Sequence, residues 1–486
     1  MTPPSQIRGQ VNRGLAWVGA ASSAVAALDV VALFLINALF LEPHQLGAAV
    51  YAFALFPALD LATDLGLASA VVQRDDPTPD KLSTLFWLNL AMSLALAAAL
   101  WLAIGPALAA LLATPVVASL LGVYGFKLIW QNSYYIPYAL LKRELRFKEL
   151  SLIRIVANVA EFGGKIGVAA AGYGPWAFVA GPLCRVLVTG IGVQIVHPWR
   201  PRFVLRLREA ADWLWFGFKS SAHRILFYVY TNVDYYVVGY LFGSHAAGVY
   251  ANAYLIVLEP ARFISEVIQN TAFPAFSRLK HAGAALVDQF VSLLRMNMVV
   301  MFGFVGIVFV TADDLLRIIG PEWVEGAAAA RLLCFVGALR GLSFVVPPLL
   351  DGTGHPGKTL LYTIVAAVTV PSLFWLFGVA LGDRFGYLSI AMAWAAGYPI
   401  AFCVLFALGL GVLRLRARAL AARVGPIVGW AALATGASAA VHAATAPLPP
   451  AARVAIAAAV SLTTFAILLA RFEGMTWRAI AAALRE

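Results

Sequence analysis

Apolar runs of about twenty residues recur along the whole chain, and they constrain it more than any other feature. A bilayer core ~30 Å thick is crossed by ~20 helical residues. Runs of that kind centre on Ala26, Leu59, Ser93, Phe126, Val159, Leu183, Phe227, Leu258, Val299, Leu339, Val368, Trp394, Trp430 and Val460. They amount to roughly fourteen spans. Of 486 residues, 62% are hydrophobic and only 12% are charged. A soluble core cannot hide that much apolar surface, so the fold class is an all-α polytopic membrane protein. The first run, from Gly14 to Leu41, is too long for a signal-peptide core and reads as a retained span.

The formal net charge of +11 would suggest nucleic acid in a soluble protein. Here the cations sit mostly in short connections, and they alternate. One set of loops and the two termini hold about 22 Lys and Arg; the other set holds about 3, Arg317, Arg384 and Arg453. The bias puts both termini in the cytoplasm and supports an even number of spans, and it accounts for the charge without nucleic acid, which is not expected as a partner. Cys184, Cys334 and Cys403 lie singly in apolar runs and read as packing residues. No phosphate-binding Gly-Lys loop, metal-ligand spacing, paired loop carboxylates or nucleophile elbow occurs, so no cofactor and no metal are expected.

The longest basic connection, HPWRPRFVLRLREAA from His197, divides the first twelve spans into two sixes. The expected organisation is a first lobe over 1–197, a basic linker over 198–211 and a second lobe over 212–413. A basic loop with two added spans follows over 414–470, then a tail over 471–486. Within the tail, 477–484 has the pattern of a short amphipathic interfacial helix. The lobes resemble each other at an offset of roughly 200 residues. Ser22-Ser23 matches Ser220-Ser221, the stretch beginning Leu46-Gly47 matches Ala247-Gly248, and Ile136-Pro137 matches Val346-Pro347. Six spans per lobe give both lobes the same orientation, the arrangement of bilobed transporters with a substrate site between the halves.

Charge inside a span is costly and is usually kept for a pathway, a partner or a substrate. Lys127, Arg185, Arg224, Arg295 and Arg340 fall near mid-span with no acid three or four residues away. They are the candidates for a cationic cavity. Arginine's planar fork suits phosphate oxygens, and five bases would suit a pyrophosphate. Glu161 and Lys165, four apart, read as a same-helix ion pair, as do Glu259 and Arg262. The span WLWFGFKSSAHRILFYVYTNVDYYVVGYL, from Trp213, is the most polar of all. Within it Tyr228, Tyr230 and Asn232 are candidates for sugar contact, against a reading of the tyrosines as interfacial belt. Asp60, Asp64 and Asp234 are candidates for ion coupling, with hydrogen bonding between helices as the competing reading.

Several stretches resemble the polysaccharide transporter family. They are Ser69-Ala70-Val71-Val72-Gln73-Arg74, Leu82-Ser83-Thr84-Leu85-Phe86-Trp87-Leu88-Asn89, and Leu141-Lys142-Arg143-Glu144-Leu145-Arg146-Phe147-Lys148. Asn232-Val233-Asp234, Phe273-Pro274-Ala275-Phe276-Ser277-Arg278-Leu279 and Glu322-Trp323 follow in the same order. The resemblance is to Wzx-type flippases of the colanic-acid-like exopolysaccharide branch, in the superfamily of MATE exporters and the lipid II flippase. It implies two pseudo-symmetric six-helix lobes in a V-shaped arrangement, with two extra C-terminal helices. The implied substrate is an undecaprenyl-pyrophosphate-linked oligosaccharide, moved from the cytoplasmic to the periplasmic leaflet by alternating access and driven by an ion gradient. The implied location is the bacterial inner membrane, among membrane lipids, with polysaccharide polymerase and export machinery as partners. The expected function is therefore a transporter and not an enzyme. The alternatives are a MATE-like exporter of small solutes, a membrane glycosyltransferase, polymerase or ligase, and a structural partner in a synthesis complex. Enzymes of that kind commonly need a larger outer loop than this chain offers.

Overall fold

The structure, a computed structural model, describes the backbone of residues 35–64, 71 and 77–474, with the side chains at 64, 208–224, 263, 264 and 266–271 outside the described set. The expected span around Ala26 and the interfacial helix at 477–484 fall outside the described residues. Among the described residues the secondary structure is helical throughout. Ten stretches are long and apolar enough to cross a membrane, and the protein is a multi-pass membrane protein.

Contacts divide the chain into two compact units, Met1–Gly248 and Val249–Glu486. The first contains α1 (Pro43–Phe53), α2 (Phe56–Asp64), α3 (Pro79–Ala99), α4 (Gly105–Leu111), α5 (Val116–Ser133), α6 (Tyr135–Arg143), α7 (Phe147–Ala170) and α8 (Ala177–Val196). Their starts follow local chemistry. Pro43 opens α1, and the Gln45 side chain accepts from the Glu42 N–H. Pro79 opens α3, where the Thr78 hydroxyl accepts from the Lys81 N–H at 3.4 Å. Between α3 and α4, Leu100–Ile104 forms a π-helical turn just before Pro106. Proline lacks an N–H and crowds the carbonyl four residues back, and the wider turn absorbs that conflict.

Helix α5 is the hub of the first unit and packs on α1, α3, α4 and α8, while α7 and α8 form a hairpin. Between α3 and α5, Asn89 Nδ2 donates to Asn132 Oδ1 at 2.7 Å, and Asn132 Nδ2 donates to Ser93 Oγ. Such bonds between helices each contribute roughly 0.6–2 kcal/mol in a membrane. They give a physical role to Asn89, one of the residues that carry the family resemblance. Leu102 and Ile195 are each 75% exposed, as expected of side chains that meet hydrocarbon instead of water.

The stretch singled out by its polarity lies in α9 (Leu207–Leu279), two helices that meet at a kink at Gly243. The break is a single residue, Gly243, with φ 84° and ψ 177°, a conformation that a side chain would strain. Just beyond it the chain crosses α1. A Cβ on Gly47 would overlap the Ser244 carbonyl oxygen, and one on Gly248 would overlap the Pro43 carbonyl oxygen. The contact is reciprocal: Gly47 lies four residues after Pro43, as Gly248 does after Ser244. These are the two glycines that the repeat aligns, and only residues without a side chain let the backbones approach so closely.

The second unit begins within α9 and continues through α10 (Ala284–Ile319), α11 (Ala327–Ser343), α12 (Val346–Gly352), α13 (Pro356–Phe385) and α14 (Leu388–Leu413). It ends with α15 (Ala417–Ala444) and α16 (Pro450–Phe472). Here α10 is the hub: it packs on α11 and carries the terminal hairpin α15–α16 along its length, while α13 pairs with α14.

Candidate functional site

Five intramembrane charges of the first unit gather between α2, α5, α7 and α8. Lys127, on α5, is 1% exposed and its ammonium is paired with Asp60 Oδ1 of α2. The Tyr124 hydroxyl, one turn earlier on α5, donates to the same oxygen at 3.0 Å and accepts from Lys127 Nζ at 3.1 Å. Phe56 stacks on the Tyr124 ring with centroids 3.5 Å apart. Asp60 and Lys127 are thus the two halves of one ion pair. Neither has an ionic partner on its own helix, so sequence spacing does not join them.

On α7, Glu161 receives Lys165 Nζ at 2.8 Å, the same-helix pair expected from the spacing, and also Arg185 Nη1 of α8 at 3.1 Å. Glu161 is nearly buried, whereas the Arg185 side chain is 40% exposed. Lys127, Lys165 and Arg185 therefore face two carboxylates, Asp60 and Glu161. Of these three cations Arg185 is the most exposed. Burying charges this way is tolerable only because each is matched by a partner or a hydrogen bond.

In the second unit Arg340 lies near the end of α11 and is 9% exposed. Its Nη1 donates to the Tyr254 hydroxyl at 2.6 Å. Its guanidinium carbon stands 5.4 Å from the Trp394 ring centroid and 5.9 Å from that of Tyr254. Phe374 meets Trp394 edge-on at 5.1 Å, and the Tyr398 hydroxyl lies 3.4 Å from that of Tyr362. Three elements, α9, α13 and α14, therefore build an aromatic surround for a guanidinium carried by α11. Aromatic faces attract such a cation electrostatically, most strongly where water is excluded. Asn297 Nδ2 of α10 donates to the Gly341 carbonyl at 2.7 Å and fixes this part of α11.

Arg295, on α10, is placed apart from these groups. Its Nη2 meets Glu473 at 2.6 Å and its Nη1 donates to the Arg423 carbonyl at 2.9 Å. Glu473 also accepts from Trp430 Nε1 at 3.2 Å, and Arg423 pairs with Asp288 at 3.0 Å. The group ties α10 to the terminal hairpin. At the far end of the same three helices, Asp314 is fully buried. It receives His442 Nε2 at 2.6 Å and Arg453 Nη1 at 2.9 Å. Sequence reading missed this second tie, although the orientation rule had put the nearby ends of these spans on one side.

The side chains of Arg224 and Asp64 lie outside the described set. Tyr228 is partly buried, and its carbonyl accepts from Asn232 Nδ2 at 2.7 Å. Tyr230 is 1% exposed and meets Phe227 edge-on at 5.5 Å. Asp234 is fully buried and accepts from the Tyr235 N–H at 3.0 Å. Glu259 and Arg262 pair at 2.8 Å, as their spacing suggested. Sequence reasoning passed over Tyr254, Trp394 and Tyr398. A tryptophan at the centre of a predicted span, away from the interface belt where tryptophan concentrates, was the available signal. Among the described residues no group of three or more His, Cys, Asp or Glu side chains could hold a metal.

The chain is 28% identical to the teichuronic acid biosynthesis protein TuaB of Bacillus subtilis, over 76% of this chain and 80% of that one. It is 27% identical to the lipopolysaccharide biosynthesis protein WzxC of Escherichia coli, over 75% and 77%. The lipid II flippase MurJ, solved in an inward closed conformation, superimposes with a TM-score of 0.71 at 14% identity. That superposition covers 93% of this chain and 98% of MurJ, so the expected fold is borne out. The family described as polysaccharide biosynthesis protein matches residues 36–328. With more than half of its length matched, this chain belongs to that polysaccharide biosynthesis family.

Proposed function

We propose that the protein is a flippase for lipid-linked oligosaccharides, taking undecaprenyl-pyrophosphate-linked repeat units from the cytoplasmic to the periplasmic leaflet for surface polysaccharide assembly. The observation that carries this reading is positive charge placed among apolar helices. Among the described residues of the first unit, Lys127, Lys165 and Arg185 lie with Asp60 and Glu161. The second holds Arg340 in an aromatic surround. A pyrophosphate needs cationic donors inside the membrane, and sugars suit the aromatic and hydroxyl groups beside them. Transport by alternating access needs no catalytic group, and the protein acts as a transporter and not as an enzyme.

In this reading the two lobes are 1–197 and 212–413, joined by the linker 198–211, with both termini in the cytoplasm of a bacterial inner membrane. Lys127, Arg185, Arg224, Arg295 and Arg340 attract the pyrophosphate. Tyr228, Tyr230 and Asn232 lie near sugar, and Asp60, Asp64 and Asp234 serve ion coupling. Polysaccharide polymerase and export machinery act downstream. The small-solute exporter sits less well with relatives named for teichuronic acid and lipopolysaccharide biosynthesis.

Cells lacking the protein test the reading. A lipid-linked oligosaccharide should accumulate on the cytoplasmic leaflet and return to normal on complementation. Unchanged lipid-linked intermediates in those cells would refute it. Arg224→Glu should abolish polymer export while the protein stays in the membrane; normal export would remove Arg224 from the role.

A further inference from the structure

Between α8 and α9 the basic connection does not hang free. Residues 198–206 form an extended strap fastened across the first turns of α3. The Arg202 N–H donates to Ser83 Oγ at 3.0 Å, and the Arg206 N–H donates to Thr84 Oγ1 at 3.0 Å. Trp87 Nε1 donates to the Arg202 carbonyl at 2.8 Å, and Asp80 pairs with Arg202 at 3.4 Å and Arg206 at 3.2 Å. Three residues of the family-like stretch, Ser83, Thr84 and Trp87, thus hold the backbone in place. With the backbone fixed, the side chains that point outward are fixed too. Phe203, stacked on Trp87 at 5.1 Å, is 91% exposed, and Leu205 is 58% exposed.

The strap sits where the apolar helices α3 and α8 end, which is the level of lipid headgroups. Beside it is the turn between α6 and α7: Arg146 Nη1 donates to the Val196 carbonyl at 3.4 Å, and Glu144 lies 3.4 Å from His197. Lys142 and Lys148 on that turn, with Arg200, Arg202 and Arg206 on the strap, are all exposed. Among the described residues the carboxylates in this region are engaged: Asp80 by the strap arginines, Glu144 by His197, and Glu149 by Arg146 at 3.1 Å. Exposed rings and alkyl groups interleaved with a cationic surplus, at the height of the headgroups, match one occupant by chemistry. It has acidic phosphate oxygens outside and acyl chains beneath.

We propose that this strap and the adjoining turn form a docking surface for anionic phospholipid, with Phe203 and Leu205 set among the upper acyl carbons and the arginines and lysines on the phosphates. The surface is built by the fold, because the strap's shape depends on Ser83, Thr84 and Trp87 of α3. It differs in this respect from a basic loop that attracts acidic lipid through charge alone.

The test uses the full-length protein, purified in neutral detergent and titrated with phosphatidylglycerol or phosphatidylcholine, with bound lipids counted by native mass spectrometry. The wild type should retain phosphatidylglycerol in preference. Each neutralised cation should reduce that preference by about fivefold when the charge acts alone. Arg200→Gln with Lys142→Gln and Lys148→Gln spares the bonds to α3 and should remove most of the preference without changing elution or helix content. Phe203→Ser should shorten retention of both lipids. Gln at Arg414, Arg416 and Arg418, on another basic connection, should leave the preference intact. Equal retention of the two lipids by the wild type would overturn the proposal. So would a preference that survives the first triple substitution, or one that falls equally with the second.

Discussion

The two units bury positive charge in different ways. In the first, Lys127 and Arg185 meet carboxylates brought in by other helices, Asp60 and Glu161. In the second, Arg340 is held by a tyrosine hydroxyl and by the faces of Tyr254 and Trp394. An ion pair is a device with two states, since losing one charge leaves the other stranded at high cost. An aromatic surround holds its guanidinium in one place through the faces of two rings.

Removing one half of the buried pair should have the largest effect. Asp60→Ala leaves Lys127 charged among apolar helices and should cost roughly 3–5 kcal/mol of stability, read by thermal unfolding of the purified protein. Asp60→Leu with Lys127→Met should recover most of that loss. A stable double variant that no longer exports polymer would give the pair a role in coupling; one that exports normally would make it purely structural.

Next comes the crossing of α1 and α9. Gly248→Val drives a side chain into the Pro43 carbonyl and should cost about 1–3 kcal/mol. The same change at Gly429, where a Cβ meets nothing within 4 Å, should be close to neutral by the same unfolding measurement.

Arg340→Lys keeps the charge and loses the planar fork. Polymer output should drop about tenfold, and a double-mutant cycle with Trp394→Leu should show coupling of about 1–2 kcal/mol. Independent effects would mean that the ring does not hold the guanidinium, and the contrast between the units would narrow.

Arg295→Gln should matter least. It breaks a partly buried pair with Glu473 at the joint of the terminal hairpin, worth about 1 kcal/mol. Polymer output should stay within about fivefold of normal on that energy. A loss as large as that of Arg340→Lys would mean that Arg295 contributes as much as Arg340 to attracting the substrate.

What the sequence determined is the set of features written in local periodicity and length. Apolar runs near twenty residues dictate membrane-spanning helices, because the bilayer thickness is fixed. Spacings of three and four residues dictate the pairs Glu161–Lys165 and Glu259–Arg262, because helix geometry is fixed. The motif that includes Ser83, Thr84, Trp87 and Asn89 was legible as a family feature, but not as a strap fastener and a bond between helices. Tertiary structure alone decided which charges meet. Asp60 and Lys127 are 67 residues apart, and Arg295 and Glu473 are 178 apart. No periodicity joins such positions, since their contact depends on how whole helices pack. The same reason explains why Arg295 and Arg340, alike in the sequence as isolated mid-span arginines, came to rest in such different surroundings. Helix α10 turns one toward the terminal hairpin, and α11 sets the other among the rings of α9 and α14.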